Sequence, residues 1–253
     1  VGERVVERPV TERVALDPTA SALEAPATGA TEAVRQRTAP TMVGVEPAGS
    51  DGGSGIVVRD DGIVITSAAF VVAGAVPVVR LPDGRTPRVD LVGTDTATGL
   101  AVLDLAGGGY TPSVLATDEE LVAGRSVSAL GGGGPSGVTT TDGEIGDAER
   151  YVGPQGRALD GVEVEGDAET SALGGAVTDE RGAVLGVTTA VADDEAWYVA
   201  PVAVVGRVAD ELLTDGVARH CWLGIEGTEP GEDAPAPSGT LVASVVPDTP
   251  AAL

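Results

Sequence analysis

Short valine-rich runs, broken every few residues by glycine or Asp-Gly, constrain this 253-residue chain more than any other feature. VGV at 43–45, GIVV at 55–58, GIVIT at 62–66, VPVVRL at 76–81, RVDLVG at 88–93 and LAVLDL at 100–105 are each too brief for a helix and rich in β-branched residues. Asp61-Gly62 and Asp83-Gly84 supply turn chemistry between them. A second set follows: RSVSAL at 125–130, GVTTTDGEIG at 137–146, GVEVEG at 161–166, GAVTDERGAVLGVTTAV at 175–191 and AWYVAP at 196–201. The flexible run Gly131 to Gly134 before Pro135 reads as the divide between the sets. Two consecutive antiparallel β-barrels are the expectation, 41–134 and 135–218, in an all-β fold.

One helix is predicted. Val204, Val205, Val208 and Leu212 recur at helical spacing over Val202 to Leu213, with Gly216 placed to stop the helix. Residues 1–40 alternate Glu, Arg, Ala, Thr and Pro without a period and read as a polar, disordered linker. Residues 219–253 are too short to bury a core alone.

Composition narrows function. Only 2% of residues are aromatic, so the cores must be built from small aliphatic side chains. A formal charge of −24 repels phosphate backbones and leaves no basic stripe, which argues against nucleic acid as a partner. All 15 basic residues are arginine, which excludes Ser-Lys catalysis and Schiff bases. Cys221 is the only cysteine, so no intrachain disulfide forms. No run approaches the length of a membrane span. Asp60-Asp61 and Asp193-Asp194-Glu195 lack the spacing of a calcium loop, and no metal or cofactor is expected. The only histidine, His220, reads as a solvent-facing residue beside Cys221.

The ordered series GSGIVV at 53–58, DGIVITS at 61–67, VVAGA at 71–75, GTDTATGLAVL at 93–103, LGGGGP at 130–135, LGGAV at 173–177, GAVLGV at 182–187 and the helix from Pro201 resembles the HtrA (DegP-like) family of trypsin-fold proteases. Each barrel is then six-stranded, and Trp222-Leu223-Gly224-Ile225 resembles the carboxylate-binding loop that opens a PDZ domain, of which 219–253 covers only the first part. In that family a histidine takes the proton from a serine, and an aspartate fixes its tautomer. The position of the histidine falls here on Ala69 or Phe70, that of the aspartate on Gly99 and that of the serine on Leu173. Asp95 remains nearby as a turn residue.

The resemblance therefore implies a protease fold without its triad, a pseudoprotease binding a peptide or protein. Ser171, Leu173, Gly174 and Gly175 are the candidates for a residual main-chain pocket able to hold a carbonyl or carboxylate. A cleft collapsed around Phe70 and Leu173 is the competing expectation. A serine endopeptidase with a rearranged or partner-supplied base is the alternative, with Ser171 its nucleophile. A decoy assembled with itself or with an active relative is a third reading. The resemblance also implies a location outside the cytoplasm, through a membrane anchor that is not in this chain.

Overall fold

The computed structural model describes residues 30–47, 52–72, 75–116, 121–146, 151–153, 157–159, 161–166, 172–192, 196–220, 224–228, 241–247 and 249–252. Two compact units are present, 1–218 and 219–253.

In the first unit the valine-rich runs form strands β1 Met42–Glu46, β2 Gly53–Val57, β3 Ile63–Ser67, β4 Val78–Arg80, β5 Val89–Asp95 and β6 Leu100–Leu105. They make one antiparallel six-stranded sheet in the order β4-β1-β2-β3-β6-β5. The sheet curls into a half-barrel around Val43, Val45, Val57, Val64, Val79, Leu103 and Leu105. Both Asp-Gly pairs make turns, with Gly62 at φ 111° and Gly84 at φ 85°. A β-carbon on Gly62 would sit 3.2 Å from Leu105 Cβ, so glycine is required there by space as well as by conformation.

The second set gives β7 Ser126–Gly132, β8 Val138–Ile145, β9 Tyr151–Gly153, β10 Arg157–Leu159, β11 Val162–Glu165, β12 Ala176–Thr178, β13 Val184–Ala192 and β14 Ala196–Pro201. Six of them close a barrel, β11-β14-β13-β12-β7-β8, while β9 and β10 pair as a separate hairpin. Trp197 fills this barrel at 1% exposure, against Ile145, Val164, Val177, Leu185 and Val199. Gly143 and Gly166 make room for it: a β-carbon on either would lie within 2.9 Å of the indole ring.

Two features depart from the sequence reading. The glycine run 131–134 does not divide the barrels, because β7 already belongs to the closed barrel and the run turns the chain from β7 into β8. Its glycines serve close approach instead, since a β-carbon on Gly133 would stand 2.6 Å from the Val43 carbonyl carbon. The end of the segment read as linker is also structured: α1, Ala30–Thr38, lies against β8. Its anchors are few and mostly polar, which is why no apolar period announced it. Val34 is 1% exposed, Thr31 Oγ1 donates to Asp142 Oδ2 at 3.2 Å, and the Arg37 guanidinium donates to the Arg181 carbonyl.

The predicted helix is α2, Val202–Asp215, burying Val205, Val208, Ala209 and Leu212. Gly216 ends it in the left-handed region at φ 72°, its N–H returning to the Leu212 carbonyl at 3.0 Å. The second unit holds one antiparallel pair, β15 Ile225–Thr228 with β16 Leu241–Val245. Among the described residues no helix is long and apolar enough to cross a membrane.

Candidate functional site

The positions singled out by the resemblance meet where the half-barrel adjoins the closed barrel. After β3 the chain makes a short helical turn, Ala68–Phe70, started by Ser67, whose Oγ accepts the Ala69 N–H at 3.2 Å. That turn sends neighbouring side chains in opposite directions. Ala69 is exposed, whereas Phe70 is 5% exposed and joins the core of the half-barrel.

Gly99 is fixed to the same turn, because its carbonyl accepts the Ala68 N–H at 2.8 Å. It closes the tight turn from β5 to β6 in a left-handed conformation, φ 73°. A β-carbon there would point at Thr189 of β13, 3.1 Å from its Cβ. Asp95 heads the turn, its Oδ1 accepting the Ala97 N–H at 3.1 Å and its Oδ2 the Thr98 hydroxyl at 2.6 Å.

Leu173 arrives from the second barrel just before β12. Its carbonyl accepts the Ser54 N–H at 2.8 Å, and its side chain packs against the core of the half-barrel. Gly53 marks the meeting point, since a β-carbon there would overlap the end of the Phe70 ring and lie 2.7 Å from the Leu173 carbonyl oxygen. Three separated segments thus converge at the junction, with alanine or phenylalanine, glycine and leucine at the expected positions.

The glycines after Leu173 are committed internally. Gly174 donates its N–H to the Thr188 carbonyl at 2.8 Å and Gly175 to the Ala172 carbonyl at 2.8 Å, so neither donor remains for an anion. This removes Gly174 and Gly175 from the expected main-chain pocket. Ser171, Trp222, Leu223 and Cys221, with Asp193-Asp194-Glu195, lie outside the described residues. Gly224 and Ile225 are described: Gly224 adopts φ 78° and accepts the Val246 N–H at 2.7 Å, while Ile225 opens β15 and is exposed. His220 is exposed and belongs to the second unit.

Two hollows, of about 390 and 770 Å³, lie on the second barrel, and no junction residue lines either. The larger lies beside α1 and carries Asp142, Glu144, Glu165 and Glu180. Among the described residues no group of three or more histidine, cysteine, aspartate or glutamate side chains is arranged to hold a metal.

Sequence reasoning passed over Thr188 and Trp197. The Thr188 hydroxyl and the Trp197 indole N–H are both buried without a hydrogen-bond partner among the described residues. Neither belongs to a motif, and their burial follows from barrel closure rather than from any local pattern.

A closed six-stranded barrel beside a six-stranded half-barrel, with three loops meeting at their junction, defines a trypsin-fold peptidase scaffold. The trypsin-like peptidase domain family matches residues 53–187. A probable periplasmic serine endoprotease, DegP-like, of Halomonas elongata is 30% identical over 216 residues, covering 79% of this chain and 44% of its own length. The serine protease PepD of Mycobacterium tuberculosis is 29% identical over 233 residues, covering 79% of this chain and 50% of its own length. The crystal structure of the serine endoprotease from Yersinia pestis superposes with a TM-score of 0.68 at 26% identity, over 90% of this chain and 79% of that one. The chain belongs to the trypsin-like peptidase family, on its HtrA (DegP-like) branch. It spans about half the length of the curated relatives it matches.

Proposed function

We propose that this chain is a catalytically inactive member of its family, acting outside the cytoplasm as a peptide- or protein-binding scaffold or regulator. The side-chain chemistry at the junction carries the reading. A serine protease needs a nucleophile in hydrogen-bond reach of a base that is itself oriented, and Leu173, Ala69 and Gly99 supply none of these groups. Ala69 suits the position of the base better than Phe70, because a base must face the reacting atoms and Phe70 is turned into the core. Loss of triad members lowers rates by on the order of 10⁴–10⁶.

A binding role draws support from two sides. The relatives named above are proteases, whose substrates are proteins, and the loop at 222–225 resembles one that captures peptide C-termini. The location follows the periplasmic naming of the Halomonas relative. An active endopeptidase with a rearranged site is the second reading, favoured by the protease names of all these relatives.

Fluorophosphonate labelling with a casein-degradation assay decides between the two. The inactive reading expects no labelled serine and intact casein. Labelling that Ser171→Ala abolishes establishes the endopeptidase instead. Anisotropy titration with fluorescent unfolded casein then tests binding, and a flat titration leaves the scaffold role without support.

A further inference from the structure

At the junction the second barrel does more than touch the first. Leu173 is carried by the second barrel yet, half-buried, packs against the core of the half-barrel, the cluster that holds Phe70. The backbone follows: the Ser54 N–H on β2 is satisfied by the Leu173 carbonyl at 2.8 Å. Gly174 then lies so close to the half-barrel that a β-carbon there would stand 2.6 Å from Thr66 Oγ1 and 3.1 Å from the Ser67 nitrogen, on β3. The Thr66 hydroxyl completes the contact by donating to the Ser54 carbonyl at 2.6 Å. Gly53 has no side chain to hold the Phe70 ring and the Leu173 backbone apart.

We propose that Leu173 and Phe70 form an apolar clasp, through which the segment 172–175 of the second barrel is locked onto β2 and β3 of the half-barrel. The residue at the family's serine position, Leu173, then serves barrel-to-barrel cohesion. Leucine suits this task where serine does not, because it brings several apolar carbons into a cluster made of valine and leucine. Phenylalanine brings the end of its ring against a glycine, the arrangement that lets two backbones and a ring share one place. The clasp is separate from the question of catalysis, which labelling alone decides.

A double-mutant cycle on the full chain tests it, with Leu173→Ala, Phe70→Ala and the pair compared by denaturant unfolding and by amide exchange. Shared packing predicts that the double variant is less destabilised than the sum of the singles. Each single is expected to speed exchange of the Ser54 amide at least tenfold relative to that of Val164, which sits inside the closed barrel. Additive losses, with Ser54 and Val164 accelerated alike, overturn the clasp. Leu173→Val and Phe70→Leu keep the test open should the alanine variants fail to fold, and the same two outcomes apply to them. Leu173→Ser loosens Ser54 as alanine does. Fluorophosphonate labelling of that variant bears on the inactive reading and leaves the clasp standing.

Discussion

Phe70, the one phenylalanine in the chain, and Trp197, the largest fully buried side chain among the described residues, occupy comparable places in the half-barrel and the closed barrel. Trp197 is enclosed by its own barrel, with Gly143 on β8 and Gly166 just past β11 cut away to admit the ring. Phe70 sits at the edge of its sheet, over Gly53 and beside a carbonyl that belongs to the other barrel. In a chain with so few aromatic residues, one ring fills a barrel and the other joins two. The difference follows from closure. A ladder that closes on itself creates an interior to be filled, whereas the open sheet keeps its own core around Val64 and Leu103 and packs Met42, Ile56 and Ile65 in one cluster with Leu130, Val187 and Ala200 of the closed barrel.

The comparison breaks if removing the two rings has the same consequences. Trp197→Ala should be the most damaging change, costing about 4 kcal/mol in denaturant unfolding through lost burial and an uncollapsed cavity. Trp197→Phe should cost much less, because among the described residues the indole N–H makes no hydrogen bond that phenylalanine would forfeit. Phe70→Ala should cost about 3 kcal/mol, since part of its surroundings can relax at the junction. Sharpening comes from sites outside both rings. Asp179 is 2% exposed and accepts the Arg181 and Ala183 N–H groups, each at 2.9 Å, beneath the Arg181 guanidinium. Asp179→Ala should cost about 2 kcal/mol by orphaning those donors, and it should not distinguish the two barrels' amide exchange.

Gly216→Ala should cost about 1 kcal/mol, as a side chain at φ 72° is strained and the cap of α2 frays. The smallest effect concerns pH. The hydrogen bond from Arg35, then that from Gln36, lowers the carboxyl of Glu32 from 4.5 to about 2. Ionised Glu32 therefore supports α1 above about pH 4.5, and that support fades as pH falls towards about 2. Circular dichroism between pH 5 and pH 2 should show α1 loosening in the parent but a flatter profile in Glu32→Ala.

Strands and turns were legible because their signals are local. Valine runs and Asp-Gly pairs mark β1 to β6, and Gly216 announces the end of α2. What escaped was tertiary. One valine and two polar anchors do not make the pattern of a helix, so α1 passed as linker. The glycine run 131–134 looks like a hinge in one dimension, while its use is the near approach to β1. The hairpin β9–β10 offers only three residues a side. Of the site, the sequence order located the three converging positions, but the choice between Ala69 and Phe70 depends on which way a short helical turn faces. The commitment of the Gly174 and Gly175 donors likewise depends on β13 and on the local turn.

On the inactive reading proposed above, the left-handed turn at Gly99 stands between this chain and a triad. An aspartate in place of Gly99 would have to hold φ 73°, a conformation it tolerates better than most side chains, with its β-carbon 3.1 Å from Thr189 Cβ. Three codon changes would restore the letters of a triad while leaving the four-residue bend between β5 and β6 to shift around a new side chain against Thr189.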